Sequence, residues 1–233
     1  MKEKLRLALL ISGGGTTATA IYNACKSGRL EVDPVLVIAS SGDLEGIERI
    51  IKAGMASRDV VVVDPNKAED MIKPCKERSV DWAGQYGWLP LTSEKFINAL
   101  KGRVINQHPG PLDIPGSDFG GIYGRQVHAA VLFFRRMTKH DYWTEATAHL
   151  VTPKFDGGSV INREQIAIYP NDTVEDLRAR VLPREHELQI RTLDDIVNGR
   201  MTALRREPPL IKENESDTLK LSLRVGRLLY PHG

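Results

Sequence analysis

LRLALLISGGGTTATAIYNACK, residues 5–26, decides the fold class of this chain. Its first seven residues are apolar except Arg6, as expected of a strand buried on both faces. Ser12, Gly13, Gly14, Gly15, Thr16 and Thr17 follow, and residues 18–26 then carry apolar side chains at helical spacing. Strand, glycine loop and helix together aim backbone N–H groups and a positive helix end at an anion. The glycines let the backbone come close to that anion, and the two threonine hydroxyls add donors or cap the helix. The loop is not a dinucleotide fingerprint. Counted from Gly13 the third glycine position holds Ala18, and counted from Gly15 it holds Ala20. The acidic residue expected after the second strand is also misplaced, because Ser40-Ser41-Gly42 precede Asp43. A Walker loop is excluded, since no Gly-Lys-Ser/Thr follows.

Outward from this unit the pattern alternates. Residues 35–39 predict a second strand, 44–54 a helix closed by glycine, and the valines 60–63 a buried strand. Residues 68–78 predict a helix that Pro74 kinks or ends early. A strand over 80–88 is interrupted by Gly84 and Gln85, which weakens it as a central strand or marks close approach by a ligand or another backbone. Thr92 or Ser93 caps a helix reaching Leu100. VINQHPG, residues 104–110, then drives two apolar β-formers into Asn106 and His108 before a Pro-Gly stop. The alternation predicts an α/β fold with a doubly wound, mostly parallel, Rossmann-like sheet. In such a sheet both polar clusters lie at carboxyl ends of strands, where reacting groups collect.

The second half reads differently. Residues 110–123 form a Gly- and Pro-rich loop, of a length that is usually functional. A short helix is expected over 126–134, followed by a polar stretch to Trp143. Strands at 146–151 and 159–168 flank a loop that carries Asp156. If that loop meets the end of the Asn106 strand, an amide, a titratable base and a carboxylate come together. A long helix follows Thr173, and Pro183 is expected to bend or divide it. His128 and His140 lack partners at ligand spacing and are read as surface or helix-face residues. After Arg205 the pattern offers only a short strand at 219–223. The organisation expected is one domain over residues 1–204, with a phosphate-binding half at about 1–103, a catalytic half at about 104–204, and a tail at 205–233.

Composition bounds the partners. The 233 residues are 41% apolar and 27% charged, with a net charge of +2, so nothing demands nucleic acid or an anionic membrane. Two cysteines, Cys25 and Cys75, stand at no metal-ligand spacing and suit a reducing cytosol. The apolar part of the N-terminus is too short for a signal peptide, and no run spans a bilayer. A cytoplasmic protein without a metal is the expectation.

With these residues assembled, the chain resembles the formyltransferases that use 10-formyltetrahydrofolate. The resemblance runs from about Leu5 to Gly199, through ISGGGTT, GWLPLT, NQHPGP, TAHLVTPKFDGG and REHEL in that order. It implies transfer of a formyl group from that folate to the primary amine of a phosphorylated ribonucleotide in purine synthesis. Carried over by position, Asn106, His108 and Asp156 are the catalytic trio, with His149 in support. Ser12, Gly13, Gly14, Gly15, Thr16 and Thr17 hold the substrate phosphate, and Glu185 is the acidic contact to the ribonucleotide. Trp88, Leu89, Pro90, Leu91, Thr92, Val104, Thr152, Pro153 and Phe155 line the folate side. The partners implied are small molecules, and the chain would act as a monomer or homodimer. This sequence departs from the family at Thr17, where Asn is usual, at Pro90, where a basic residue is common, and at Glu145, where Gly is usual. It also carries extra residues after His108, including FGGIYG and HDYW. Relatives acting on methionyl-tRNA or amino sugars, and the formyl-folate hydrolase, are the alternatives. The first generally has an added C-terminal barrel and the last an N-terminal regulatory domain. A non-catalytic nucleotide-binding module of the same fold is a further alternative, from a different class.

Overall fold

The computed structural model describes residues 3–233. They form two compact units. The first takes in the described residues up to Gln107 with Leu150–Lys154 and Gln189–Met201; the second takes in His108–His149, Phe155–Leu188 and Thr202–Gly233.

In the first unit five strands run parallel in the order β3-β2-β1-β4-β5: β1 is Leu5–Ile11, β2 Val32–Ala39, β3 Val60–Val62, β4 Trp82–Gln85 and β5 Val104–His108. The alternation of helices between them, α1 (Thr16–Lys26), α2 (Glu45–Ala53), α3 (Ala68–Glu77) and α4 (Glu94–Ala99), is what a parallel sheet requires. Leu7 to Ile11 are fully buried, and Ala8, Leu10, Leu36, Ile38, Met71, Phe96 and Val104 share one core. Three expectations are corrected. β3 is not a buried strand: it pairs only with β2 and leaves Val62 half exposed, as an edge strand does. α3 runs through Pro74, whose ring is buried and which only one further turn follows. β4 is short, and Gly84 is there because Tyr86 folds back over it; a Cβ would come within 2.2 Å of the Tyr86 hydroxyl oxygen. Ser93, rather than Thr92, caps α4 by accepting from the Phe96 N–H at 3.3 Å.

The second unit holds an antiparallel pair, β6 (Trp143–Leu150) and β7 (Val160–Ala167), with α5 (Arg125–Thr138) and α7 (Ser216–Leu229). α6 (Val174–Val197) starts in this unit and continues unbroken through Pro183, with Leu177, Val181, Leu188 and Leu193 buried on either side of the proline. α5 is a turn longer than its apolar pattern suggests, because Arg135 is fully buried and its guanidinium lies over the Trp143 and Phe134 rings.

The largest correction lies in the tail. Residues 219–223 are not a strand; alternating leucines there belong to helix α7. Leu219, Ser222 and Gly226 form its buried stripe, and because Ser222 and Gly226 are small the helical period does not show in the leucines. The tail is also tied down by polar contacts. Leu204 donates to the Val160 carbonyl at 2.7 Å, and Arg206 pairs with buried Glu145 at 2.6 Å. His140 bridges Asp141 and Glu215, so it is not a simple surface residue. His128 is buried too, and that burial pushes it down to about 3.

At the α5–α7 contact a Cβ on Gly226 would sit 2.4 Å from the Gln126 carbonyl oxygen. Helix propensity alone makes Gly→Ala favourable by up to about 1 kcal/mol. Backbone overlap outweighs it, so Gly226→Ala should lose roughly 1–3 kcal/mol in urea denaturation. A stabilised variant would show that the two helices separate at no cost.

Candidate active site

The cluster with chemical character is built on His108, His149 and Asp156, all in the second unit. β5 ends at His108, and strand alternation sends Asn106 and His108 to the same face. Gly110 must be glycine, since a Cβ would lie 2.4 Å from Val127 and 3.4 Å from His108 Nε2. Thr147 on β6 donates its hydroxyl to the Gly110 carbonyl at 2.8 Å, which fixes the turn after His108. Between Ala148 and His149 the β6–β7 register shifts, and such an irregularity re-aims the side chain beside it.

Asp156 adopts a left-handed backbone (φ 50°), which Asp tolerates better than most residues. Its Oδ2 accepts the Gly121 N–H at 2.8 Å and lies 3.6 Å from His108 Nδ1; its Oδ1 lies 3.4 Å from His149 Nε2. The carboxylate therefore stands between two imidazoles. Burial works to raise its pKa, yet His108 and His149 hold it well below the ordinary carboxylate value. Burial is also the largest influence on His108, which is 3% exposed, and it pulls that pKa down. Asp156, Asp118 and the Phe119 carbonyl oppose it. His108 Nε2 is 3.0 Å from that carbonyl.

The glycine loop lies in the first unit. Gly15 caps α1 with φ 61°, and a Cβ there would be 2.8 Å from the Gly46 Cα. Gly13 accepts the Gly46 N–H at 3.1 Å, and Gly14 accepts from Arg49 Nε at 2.7 Å. A Cβ on Gly13 or Gly14 would meet nothing within 4 Å. The first turn of α1 contains no acidic residue and its cap uses no side chain, so the positive end of Thr16 and Thr17 is not neutralised locally. Ser12 donates its backbone N–H to the Gly87 carbonyl at 3.1 Å, and its hydroxyl oxygen accepts the Leu89 N–H at 3.2 Å. The loop and the Trp88–Thr92 segment are thereby joined. Within that segment Trp88 is in the core, Thr92 is buried and bonded by Gln85, and Leu89 and Leu91 are about half exposed on either side of Pro90. Val104 is fully buried, and its carbonyl accepts the Val151 N–H at 2.9 Å. Thr152 bonds within its own turn to Lys154, next to exposed Pro153, while Phe155 is exposed.

Glu185 is buried on α6, and burial pushes its carboxyl up to about 8 against a weaker pull from Arg178. The contacts that Arg49 makes with the glycine loop, and Phe119 and Gly121 with His108 and Asp156, were not legible in the sequence. Asp118-Phe119-Gly120 does carry an Asx-turn spacing, but its approach to His108 is a tertiary contact. Among the described residues no group of three or more His, Cys, Asp or Glu could hold a metal ion, and no helix is long and apolar enough to cross a membrane.

An α/β sheet unit with a glycine loop before its first helix, and an imidazole–carboxylate–imidazole cluster at a strand end, are the features of a group-transfer enzyme. Residues 5–193 match the family described as Formyl transferase, and the chain belongs to that family. Phosphoribosylglycinamide formyltransferase of Arabidopsis thaliana chloroplasts is 28% identical over 222 residues, covering 92% of this chain and 73% of that protein. The Escherichia coli K12 enzyme of the same name is 25% identical over 201 residues, covering 84% and 89%. The crystal structure of glycinamide ribonucleotide transformylase 1 from Symbiobacterium toebii superposes with a TM-score of 0.74 at 26% identity, covering 88% of this chain and 92% of that one.

Glu185 has a measurable signature. A raised carboxyl pKa stabilises the fold fully below the unfolded value near 4.5 and loses that contribution as pH rises towards 8. In that window stability should fall by about 1.4 kcal/mol per pH unit from this group. Glu185→Gln, which mimics the protonated acid, should flatten the slope and be the more stable protein at pH 8 in urea unfolding without ligand. Equal slopes for both proteins would mean that the buried carboxyl is ionised.

Proposed function

We propose that this protein transfers a formyl group from 10-formyltetrahydrofolate to the primary amine of 5-phosphoribosylglycinamide. The observation that carries the chemistry is Asp156 held between His108 and His149, at 3.6 and 3.4 Å. The free amine attacks the formyl carbon, forming a C–N bond and an oxyanion. The carboxamide of Asn106 donates to that oxygen, and His108 contributes positive charge, the kind of stabilisation whose loss costs roughly 10²–10³ in rate. Asp156 takes up the amine proton, directly or through water, and the proton passes on to folate N10 as its bond to the formyl carbon breaks. His149 orients Asp156 by facing its other oxygen.

The acceptor's phosphate is assigned to Ser12, Gly13, Gly14, Gly15, Thr16 and Thr17, with the exposed Arg49 beside the loop adding charge. Glu185 accepts from the ribonucleotide. Trp88, Leu89, Pro90, Leu91, Thr92, Val104, Thr152, Pro153 and Phe155 form the folate side, with Leu89, Leu91 and Phe155 offering apolar surface and the others shaping the backbone behind it. Tetrahydrofolate release from 10-formyltetrahydrofolate in the presence of 5-phosphoribosylglycinamide tests the reading. No release with that amine would refute it.

Two substitutions separate the roles. Asn is at ease at a left-handed position, so Asp156→Asn removes charge without moving the backbone. Its kcat should fall by roughly 10² or more with KM nearly constant, because the charge acts on proton transfer rather than on binding. A raised KM at unchanged kcat would make Asp156 a binding residue. A Cβ on Gly14 meets no protein atom within 4 Å, and Gly14→Val directs its side chain into the space assigned to the phosphate. It should raise KM for the ribonucleotide far more than for the folate, and the reverse result would mean that the two assignments are exchanged.

A further inference from the structure

We propose that Asp118 is a positioning residue for His108: it sets the turn that presents the Phe119 carbonyl to Nε2, and it adds a second carboxylate to the surroundings of the imidazole. The inference rests on the formyl-transfer reading, in which His108 must carry charge. Asp118 lies in the Gly- and Pro-rich loop, yet it is only 3% exposed while Ile114 nearby is 54% exposed. One carboxylate oxygen accepts the Asp113 N–H at 2.9 Å and the other the Gly120 N–H at 3.1 Å. Phe119 sits between those anchors. Its ring is fully buried, edge-on to Phe134 at 5.5 Å between centroids. The Phe119 carbonyl is thus fixed from both sides of the turn and by its own side chain. Gly120 is confined as well, since a Cβ there would lie 3.1 Å from Asp118 Oδ1 and 3.2 Å from the Asp156 Cβ.

The consequence is chemical. A carbonyl oxygen only accepts, so His108 Nε2 must carry a hydrogen in either charge state. The nitrogen that gains and loses the proton is then Nδ1, the one facing Asp156. Without the Phe119 carbonyl, a neutral imidazole would place its hydrogen on Nδ1 towards that carboxylate, and its basic nitrogen would point away from the proton acceptor. The groups facing His108 are Asp156, Asp118, His149 and His128; the carboxylates favour the cation and the histidines oppose it. Asp118 therefore acts twice on one ring, through the carbonyl it positions and through its charge.

The test uses the full chain carrying Asp118→Asn, which keeps the size, loses the charge and satisfies only one of the two N–H groups. KM for both substrates should stay within about twofold. The pH at which kcat declines on the basic side, and the His108 titration midpoint by NMR, should both move down by roughly one unit. A purely structural Asx turn predicts a lower melting temperature with neither quantity moved, and that result would overturn the proposal. Should Asp118→Asn fail to fold, Asp118→Ser keeps one acceptor and no charge, and carries the same expectation for the NMR titration. His108→Ala is measured alongside. If it retains near-normal kcat, the catalytic reading of His108 fails; if it is inactive while the His108 titration is unmoved in the Asp118 variants, only the assignment of Asp118 fails.

Discussion

A carboxylate buried between two imidazoles is the constraint on which the second unit depends. Removing Asp156 from water costs free energy, and the two rings recover it only if they stay within a few ångströms. Much of the nearby backbone serves that requirement. The left-handed turn at Asp156, the register shift before His149, and the glycine at 110 each allow a close approach that an ordinary strand or loop would prevent. The same burial pulls the His108 pKa down, with Asp156 and Asp118 opposing it.

The first unit works by a different principle. Its glycine loop has no charged side chain of its own, and the first turn of α1 that follows it holds no acidic residue. The loop follows β1, whose Leu7 to Ile11 are fully buried, and the close approach of Gly15 to Gly46 sets it against α2. Ser12 then carries that order to the Trp88–Thr92 segment through the Leu89 N–H. The substitution of Thr for Asn at position 17 sits in this loop as a buried first-turn residue of α1.

Two departures from the family pattern have structural explanations in the second unit. Glu145, in place of the usual Gly, is the buried partner of Arg206 and so anchors the tail. The added loop residues include Phe119, whose carbonyl lies 3.0 Å from His108 Nε2. Residues beyond the matched region are thus packed parts of the unit: Leu210 donates to Asp113 at 2.7 Å, and α7 rests on α5 through Gly226.

What the sequence determined by itself was the order of elements in the first half and the chemistry at two strand ends. Continuous apolar runs separated by helical periods leave little choice but a parallel α/β sheet, and Asn106 and His108 stand where such a strand must end. The strand–loop–strand around Asp156 was legible for the same reason. Tertiary structure alone decided the rest. Pro74 and Pro183 lie inside intact helices because buried neighbours on both sides compensate for one missing hydrogen bond. α7 is a helix because its small residues meet α5, a partner more than ninety positions away in the chain, and no local period records that contact. The same holds for the carbonyl of Phe119 at His108, which meets the ring only because the loop between them turns back, and for the burial of the Glu185 carboxyl.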